Sequence, residues 1–157
     1  MAGEEDSNAK SILVRVDFNV PMDKKGKITD DSRIRGALPT IQAIKKSNLN
    51  VILVSHMGRP KLVQKGGEDE ETKEQRGKLS LRPVAQRLAK LLKTDVAFCP
   101  DCVGSITEEA VGNLPKEGGG VLLLENLRFY KQEEKNDPKF ARFLSLLSDG
   151  CKFIFMM

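Results

Sequence analysis

Tryptophan is absent and tyrosine occurs once in the 157 residues, so bases would find almost no stacking platforms and a nucleic-acid partner is not expected. Cysteine occurs three times. Cys99 and Cys102 form a C-x-x-C that invites a redox or zinc reading. Zinc would need a second pair of ligands, and only Cys151 and the single histidine, His56, remain, both far away in sequence. The cysteines are therefore read as structural or incidental, and no metal ligands are assigned. No apolar run is long enough to span a bilayer, and the opening MAGEEDSNAK is acidic with no apolar core of a signal peptide. A soluble, cytoplasmic protein without a membrane partner is expected. Neither G-x-x-x-x-G-K-[ST] nor G-x-G-x-x-G occurs, so no glycine-rich phosphate loop is predicted. The net charge of +4 and pI near 9.0 favour anions only mildly, because acidic and basic residues are interspersed. The length suits one domain with a real core.

What is present is organised around Val51 to Lys61, VILVSHMGRPK. Val51, Ile52, Leu53 and Val54 are apolar, rich in β-branching and too few for a helix, which predicts a strand buried on both faces. Ser55, His56, Gly58 and Arg59 follow at once, and Pro60 bars further ladder pairing. A histidine and an arginine at the end of a parallel strand suggest an anionic small molecule, since ligands bind outside the carboxyl ends of such strands and guanidinium matches carboxylate or phosphate.

The same grammar recurs. Ile12 to Asp17 reads as a first strand running into Phe18 and Asn19, and Asp23 to Asp31 as a polar turn around Gly26. Asp31 or Ser32 can cap a helix carrying Ile34, Leu38, Ile41 and Ile44, with Pro39 kinking or dividing it. Arg33 and Arg35 lie in its first turn, where the helix dipole disfavours cations. Either they are solvated or an anion shares the site. Residues 63–78 carry almost nothing apolar and predict a mobile surface insert. Ser80 is read as the cap of a helix with the stripe Leu81, Val84, Leu88 and Leu91. Asp95 to Phe98 reads as a short strand, and Ser105 with Glu108 as a capping box. Gly118 to Gly120 turn into a strand at Val121 to Leu124, which runs into Glu125, Asn126, Leu127 and Arg128. Asp137 and Pro138 open a helix with Phe140, Phe143, Leu144 and Leu147, and CKFIFMM is strand-like. Alternating strands and helices predict an α/β protein, a three-layer, doubly wound, Rossmann-like parallel sheet with one polar edge.

Taken together, RVDFNVP at Arg15 to Pro21, DSRIRGALPTI at Asp31 to Ile41, SHMGRPK at Ser55 to Lys61 and LLLENLRF at Leu122 to Phe129 resemble the amino-terminal domain of phosphoglycerate kinase. KLSLRPVAQRL and EEKNDPKFA, in the same order, extend the likeness over residues 11 to 148. The resemblance implies phosphoryl transfer between 1,3-bisphosphoglycerate and ADP with Mg²⁺, giving 3-phosphoglycerate and ATP. It implies a substrate site of Asp17, Phe18, Asn19, Arg33, His56, Met57, Gly58, Arg59 and Arg128. Within it, Asp17 and Asn19 would recognise the glycerate, Asp17 taking its hydroxyl. His56, Arg59 and Arg128 would hold the remote phosphate, and Arg33, the catalytic residue, would stabilise the phosphoryl group in flight. Arg35 receives no role. The family further suggests a monomer.

The sequence departs from the family pattern at the leader 1–10, at the insert 63–78 and at the tail 151–157, which leaves residues 11–150 as an incomplete amino-terminal domain. The domain that binds Mg²⁺ with ADP or ATP is expected to be absent, so no nucleotide residue or cofactor is assigned here and the chain alone is expected to be inactive. The alternative is a non-catalytic 3-phosphoglycerate-binding module or a partner-binding fragment. CKFIFMM could occupy the strand position left vacant.

Overall fold

A computed structural model describes residues 10–58, 74, 77–129, 138–147 and 154–155. The strands are β1 (Ser11–Arg15), β2 (Asn50–Val54), β3 (Ala97–Cys99), β4 (Val121–Leu124) and β5 (Ile154–Phe155). The helices are α1 (Ser32–Lys46), α2 (Arg82–Leu92), α3 (Ser105–Gly112) and α4 (Pro138–Leu146), and a short 3-10 turn spans Leu127–Phe129. All pairings between the strands are parallel, in the order β3-β4-β2-β1-β5.

Successive side chains of a strand point to opposite faces, and the core divides accordingly. Val14, Val51, Leu53, Val121 and Leu123 pack with Ile34, Ala37 and Ile41 of α1 and with Val84, Ala85 and Leu88 of α2. Leu13, Ile52, Val54, Leu122 and Leu124 form the other face, with Leu144 of α4, Leu147, and Ala110 and Val111 of α3. The sheet is thus buried on both sides, which is why β2 and β4 are wholly apolar. The expected three-layer architecture is what the chain adopts. Ile154 and Phe155 lie beside Val14 and Arg15, so part of the tail does extend the sheet beyond β1.

Local signals fared less evenly. β1 ends at Arg15 rather than Asp17, although Val16 still donates to the Val54 carbonyl at 3.0 Å. β3 begins at Ala97, because its extent is set by pairing with Leu122 to Leu124. α1 runs unbroken through Pro39. Its apolar stripe is anchored on both sides of the proline, by Ile34 and by Ile41, and tertiary packing outweighs the lost hydrogen bond. The capping box on α3 does not form: Gly104 occupies the cap position at φ 95° with no side-chain bond. Among the insert residues only Glu74, Gly77 and Lys78 are described, and they are helical, with a 2.8 Å Glu74–Lys78 ion pair, where a loop was expected. The remainder of 63–78, Asp137 and Cys151 lie outside the described residues. Gly118 is required at its turn, since its φ is 87° and a β-carbon there would lie 1.9 Å from the Asn48 carbonyl oxygen.

Asp31 stands at the cap position of α1 but caps nothing. Its Oδ1 accepts from Arg35 Nε at 2.9 Å, and its Oδ2 accepts from Arg87 Nη2 at 2.6 Å and Nε at 2.9 Å, clamping α1 to α2. Those hydrogen bonds, Arg35's first, hold the Asp31 carboxyl below its ordinary value of 3.8. A carboxyl lowered by folding stabilises the native state above its unfolded value and loses that contribution as pH falls through the folded one. Asp31→Asn is therefore expected to be less stable than the parent at pH 7, with the gap closing below about pH 4. Urea melts across that range check this, and a gap that persists unchanged in acid would refute it.

Candidate functional site

The carboxyl ends of β1, β2 and β4 share one edge of the sheet, and β2 and β4 are neighbours there. The chain leaving β2 leads to α2 on one face, while the chain leaving β4 leads to α4 on the other. Because the helices that follow β2 and β4 pack on opposite faces, the carboxyl edge between these two strands is a switch point of the kind at which open α/β sheets bind ligands in a crevice.

Beyond β1 the chain folds tightly on itself. Asn19 N–H donates to Asp17 Oδ1 at 3.1 Å, a local turn of the kind short carboxylates favour. Arg33 reaches across from the first turn of α1: its Nη1 donates to the same Asp17 Oδ1 at 3.1 Å and to the Asn19 carbonyl at 2.9 Å. The unusual cation at a helix start is thereby balanced by a carboxylate from another loop. The pair is open, with side chains 52% and 41% exposed, so it presents charge to solvent. Arg35, by contrast, is spent on Asp31.

Asn19 Oδ1 accepts the Gly58 N–H at 3.1 Å, tying the β1 exit to the β2 exit. The carbonyl end of this side chain is used internally, which leaves its Nδ2 as the group to offer a ligand. Gly58 has φ 61°, and a β-carbon there would come within 2.8 Å of Leu79 Cδ2. His56 is half-buried between these bonded residues. Phe18 and Met57 are in the core, at 0% and 3% exposure, so anything they offer a ligand is confined to their backbone. Ser55, fully buried, holds the strand end: its Oγ accepts from Phe18 N–H at 2.9 Å, and its carbonyl accepts from Leu127 N–H at 3.0 Å.

Beyond β4, Asn126 Oδ1 accepts from Met57 N–H at 3.1 Å and from Arg128 N–H at 3.0 Å. Its Nδ2 donates to the carbonyls of Met57 at 2.8 Å and Leu79 at 3.0 Å. Glu125 Oε1 accepts from Asn126 N–H and Leu81 N–H, both at 2.9 Å, and its Oε2 accepts from the Ser80 hydroxyl at 2.7 Å. Ser80 Oγ in turn accepts from Arg82 N–H at 3.2 Å, so it serves α2 from one position earlier than expected, with Glu125 beside it. Arg128 is half-buried in the 3-10 turn.

A path of hydrogen bonds, joined by the peptide link between Met57 and Gly58, thus runs from Arg33 through Asp17, Asn19 and Gly58, and through Met57 and Asn126 to Arg128. Eight of the nine residues singled out from the sequence stand on or beside it; Arg59 lies outside the described residues. Ser55, Glu125 and Asn126 were given no role. The one signal for them was polar residues placed directly after wholly apolar strands.

The two described cysteines lie behind the rim. Cys99 and Cys102 are buried thiols outside any disulfide, and Cys102 Sγ donates to the Glu125 carbonyl at 2.8 Å. Burial, with Asp101 close by, pushes the Cys102 thiol well up, the condition of an unreactive cysteine. Among the described residues, no three His, Cys, Asp or Glu side chains gather to hold a metal ion.

The phosphoglycerate kinase family model matches residues 3–153. The chain belongs to the phosphoglycerate kinase family. It is 54% identical over 144 residues to a phosphoglycerate kinase of Synechococcus sp. (strain JA-2-3B'a(2-13)), covering 92% of this chain and 34% of that protein. It is 48% identical over 147 residues to a cytosolic phosphoglycerate kinase of Triticum aestivum, covering 94% and 33%. The solved phosphoglycerate kinase of Coxiella burnetii superposes with a TM-score of 0.70 at 34% identity, over 98% of this chain and 34% of that one. The enzyme of Pyrococcus horikoshii OT3 gives 0.71 at 28% identity, over 94% and 34%. The chain therefore spans about a third of the length of these phosphoglycerate kinases. No described helix is long and apolar enough to cross a membrane.

Proposed function

We propose that this chain is the 3-phosphoglycerate-binding part of a phosphoglycerate kinase, the enzyme that moves a phosphoryl group between 1,3-bisphosphoglycerate and ADP. The observation that carries the reading is the open Arg33–Asp17 pair, hydrogen-bonded through Asn19 to the loop of His56 and Gly58. Arg33 is already oriented by two oxygens, so its guanidinium can meet the transferring phosphoryl group with little reorganisation, the electrostatic contribution that dominates phosphoryl transfer. Asp17 has committed Oδ1 and keeps Oδ2 to accept the glycerate hydroxyl. His56, Arg128 and, by family likeness, Arg59 take the phosphate remote from the reaction. Phe18, Met57 and Gly58 shape the floor beneath it.

Mg²⁺ and the nucleotide belong to the complete enzyme. Among the described residues no three His, Cys, Asp or Glu side chains gather for a metal, and of the glycines before β4, Gly118 packs against Asn48 and Gly120 against Pro115 and Asn50, while Gly119 is open. By likeness to the family we assign Mg²⁺–ADP to the part of the family enzyme outside the third that this chain matches, and no step of this reading runs through it. A cytoplasmic monomer with no nucleic-acid or membrane partner completes the proposal.

Isothermal titration of the 157-residue chain with 3-phosphoglycerate tests it. Binding that weakens as salt is raised is the expected result, since several charge-assisted hydrogen bonds at about 1.5 to 3 kcal/mol each are available. No heat at millimolar ligand would overturn the reading.

A further inference from the structure

We infer that Asn126 is a positioning residue which locks the loop of His56 to the turn of Arg128, so that the two meet one phosphate across the β2–β4 crevice at a fixed separation. The inference rests on the 3-phosphoglycerate reading and deepens it. Asn126 is fully buried, so its own side chain does not reach the rim. All of its amide's work is done on backbone. Oδ1 accepts Met57 N–H at 3.1 Å and Arg128 N–H at 3.0 Å, and Nδ2 donates to Met57 O at 2.8 Å and Leu79 O at 3.0 Å. Met57 is the residue after His56, so one side chain grips the main chain of Arg128 and that of the residue next to His56, Arg128 and His56 being the two proposed to hold the phosphate. Reversing the amide would set its hydrogens against two N–H donors, which fixes its orientation.

Only a side chain with two acceptor positions on one atom and two donors on another satisfies all four groups. A carboxylate of the same shape keeps the acceptor and loses the donors. Its second oxygen would face the Met57 and Leu79 carbonyls. Asn126→Asp is thus expected to let the Met57 segment retreat from the crevice while Arg128 N–H stays bonded.

The lone histidine makes this visible, because its ring Cε1–H gives one NMR peak that reports the loop directly. In the full chain, Asn126→Asp should shift or broaden that peak without ligand, and should weaken 3-phosphoglycerate binding at least about tenfold while the protein still melts cooperatively. The control is Asn50→Asp. Asn50 is another buried amide, bonded to Pro115 O and Gly120 N at the opposite end of β2. It should lower stability yet leave peak and affinity alone.

An unchanged peak and affinity in Asn126→Asp would overturn the inference, as would equal effects from Asn50→Asp. A shifted peak in a protein whose parent does not bind 3-phosphoglycerate would refute the ligand and uphold the locking. If Asn126→Asp does not fold, hydrogen exchange on the unaltered chain decides. The Met57 and Arg128 amides share one buried acceptor and should show equal protection factors, and protection differing more than about tenfold would overturn the lock.

Discussion

Arg128→Ala is expected to weaken 3-phosphoglycerate binding by about ten- to a hundredfold while leaving the fold intact. The magnitude follows from the guanidinium's role as a forked donor: losing hydrogen bonds to a charged partner costs about 1.5 to 3 kcal/mol, and each 1.4 kcal/mol is tenfold in affinity. The fold should survive because the turn at Leu127–Phe129 is held by main-chain groups. Arg128 N–H is bonded to Asn126 Oδ1, Leu127 N–H to the Ser55 carbonyl, and Leu127 itself is buried. Truncating the side chain touches none of these. The loss should also flatten the salt dependence, since one fewer cation is screened. Calorimetry at two ionic strengths, with a urea melt alongside, separates this from general damage. Unchanged affinity, or a loss matched by collapse of the melt, would remove Arg128 from the site.

The sheet was readable from the sequence because each central strand is a short, wholly apolar run, and each flanking helix carries its apolar residues at helical spacing. Val51 to Val54 and Val121 to Leu124 could be buried only between two layers of helices, and they are. The rim was readable for a related reason: where such a run stops in Ser-His or Glu-Asn, the chain has reached the edge of the core. Element ends were less readable because partners elsewhere set them. Ser80 looked like a cap, but the donors at the start of α2 are shared with Glu125, 45 residues along the chain. Asn126 stood out only as a polar residue after an apolar strand, yet Met57, 69 residues earlier, takes both its amide groups. No spacing rule encodes such a pairing, since it arises only when β4 lies down beside β2. Arg33 falls between these cases. Its misfit with the helix dipole was legible, while its partner, the Asp17 carboxylate, became evident only in three dimensions.

Glu125→Ala should be the most damaging single change among those considered, lowering stability by about 3 kcal/mol or more. The carboxylate is buried, at 9% exposure. It receives Leu81 N–H at the entrance of α2, Asn126 N–H and the Ser80 hydroxyl. Alanine strands two backbone donors in the interior, each costing about 1 to 3 kcal/mol, and leaves the hydroxyl to find a new acceptor. It also removes a negative charge from a helix N-terminus, a further loss of about 0.3 to 1 kcal/mol. Against a typical total stability of about 5 to 15 kcal/mol, this threatens folding at physiological temperature. Glu125→Gln isolates the cause. Glutamine keeps Oε1 for both backbone donors and can turn its Nε2 hydrogens toward Ser80 Oγ, so it should forfeit the charge, about 1 kcal/mol or less, and leave the half-buried Ser80 hydroxyl to find a new acceptor. Urea midpoints at constant slope measure both variants. If the two lose equally, the charge at the start of α2 is what holds β4 to that helix. If alanine loses severalfold more, the hold is the acceptor, and the crevice keeps its shape because one buried oxygen ties the exit of β4 to the entrance of α2.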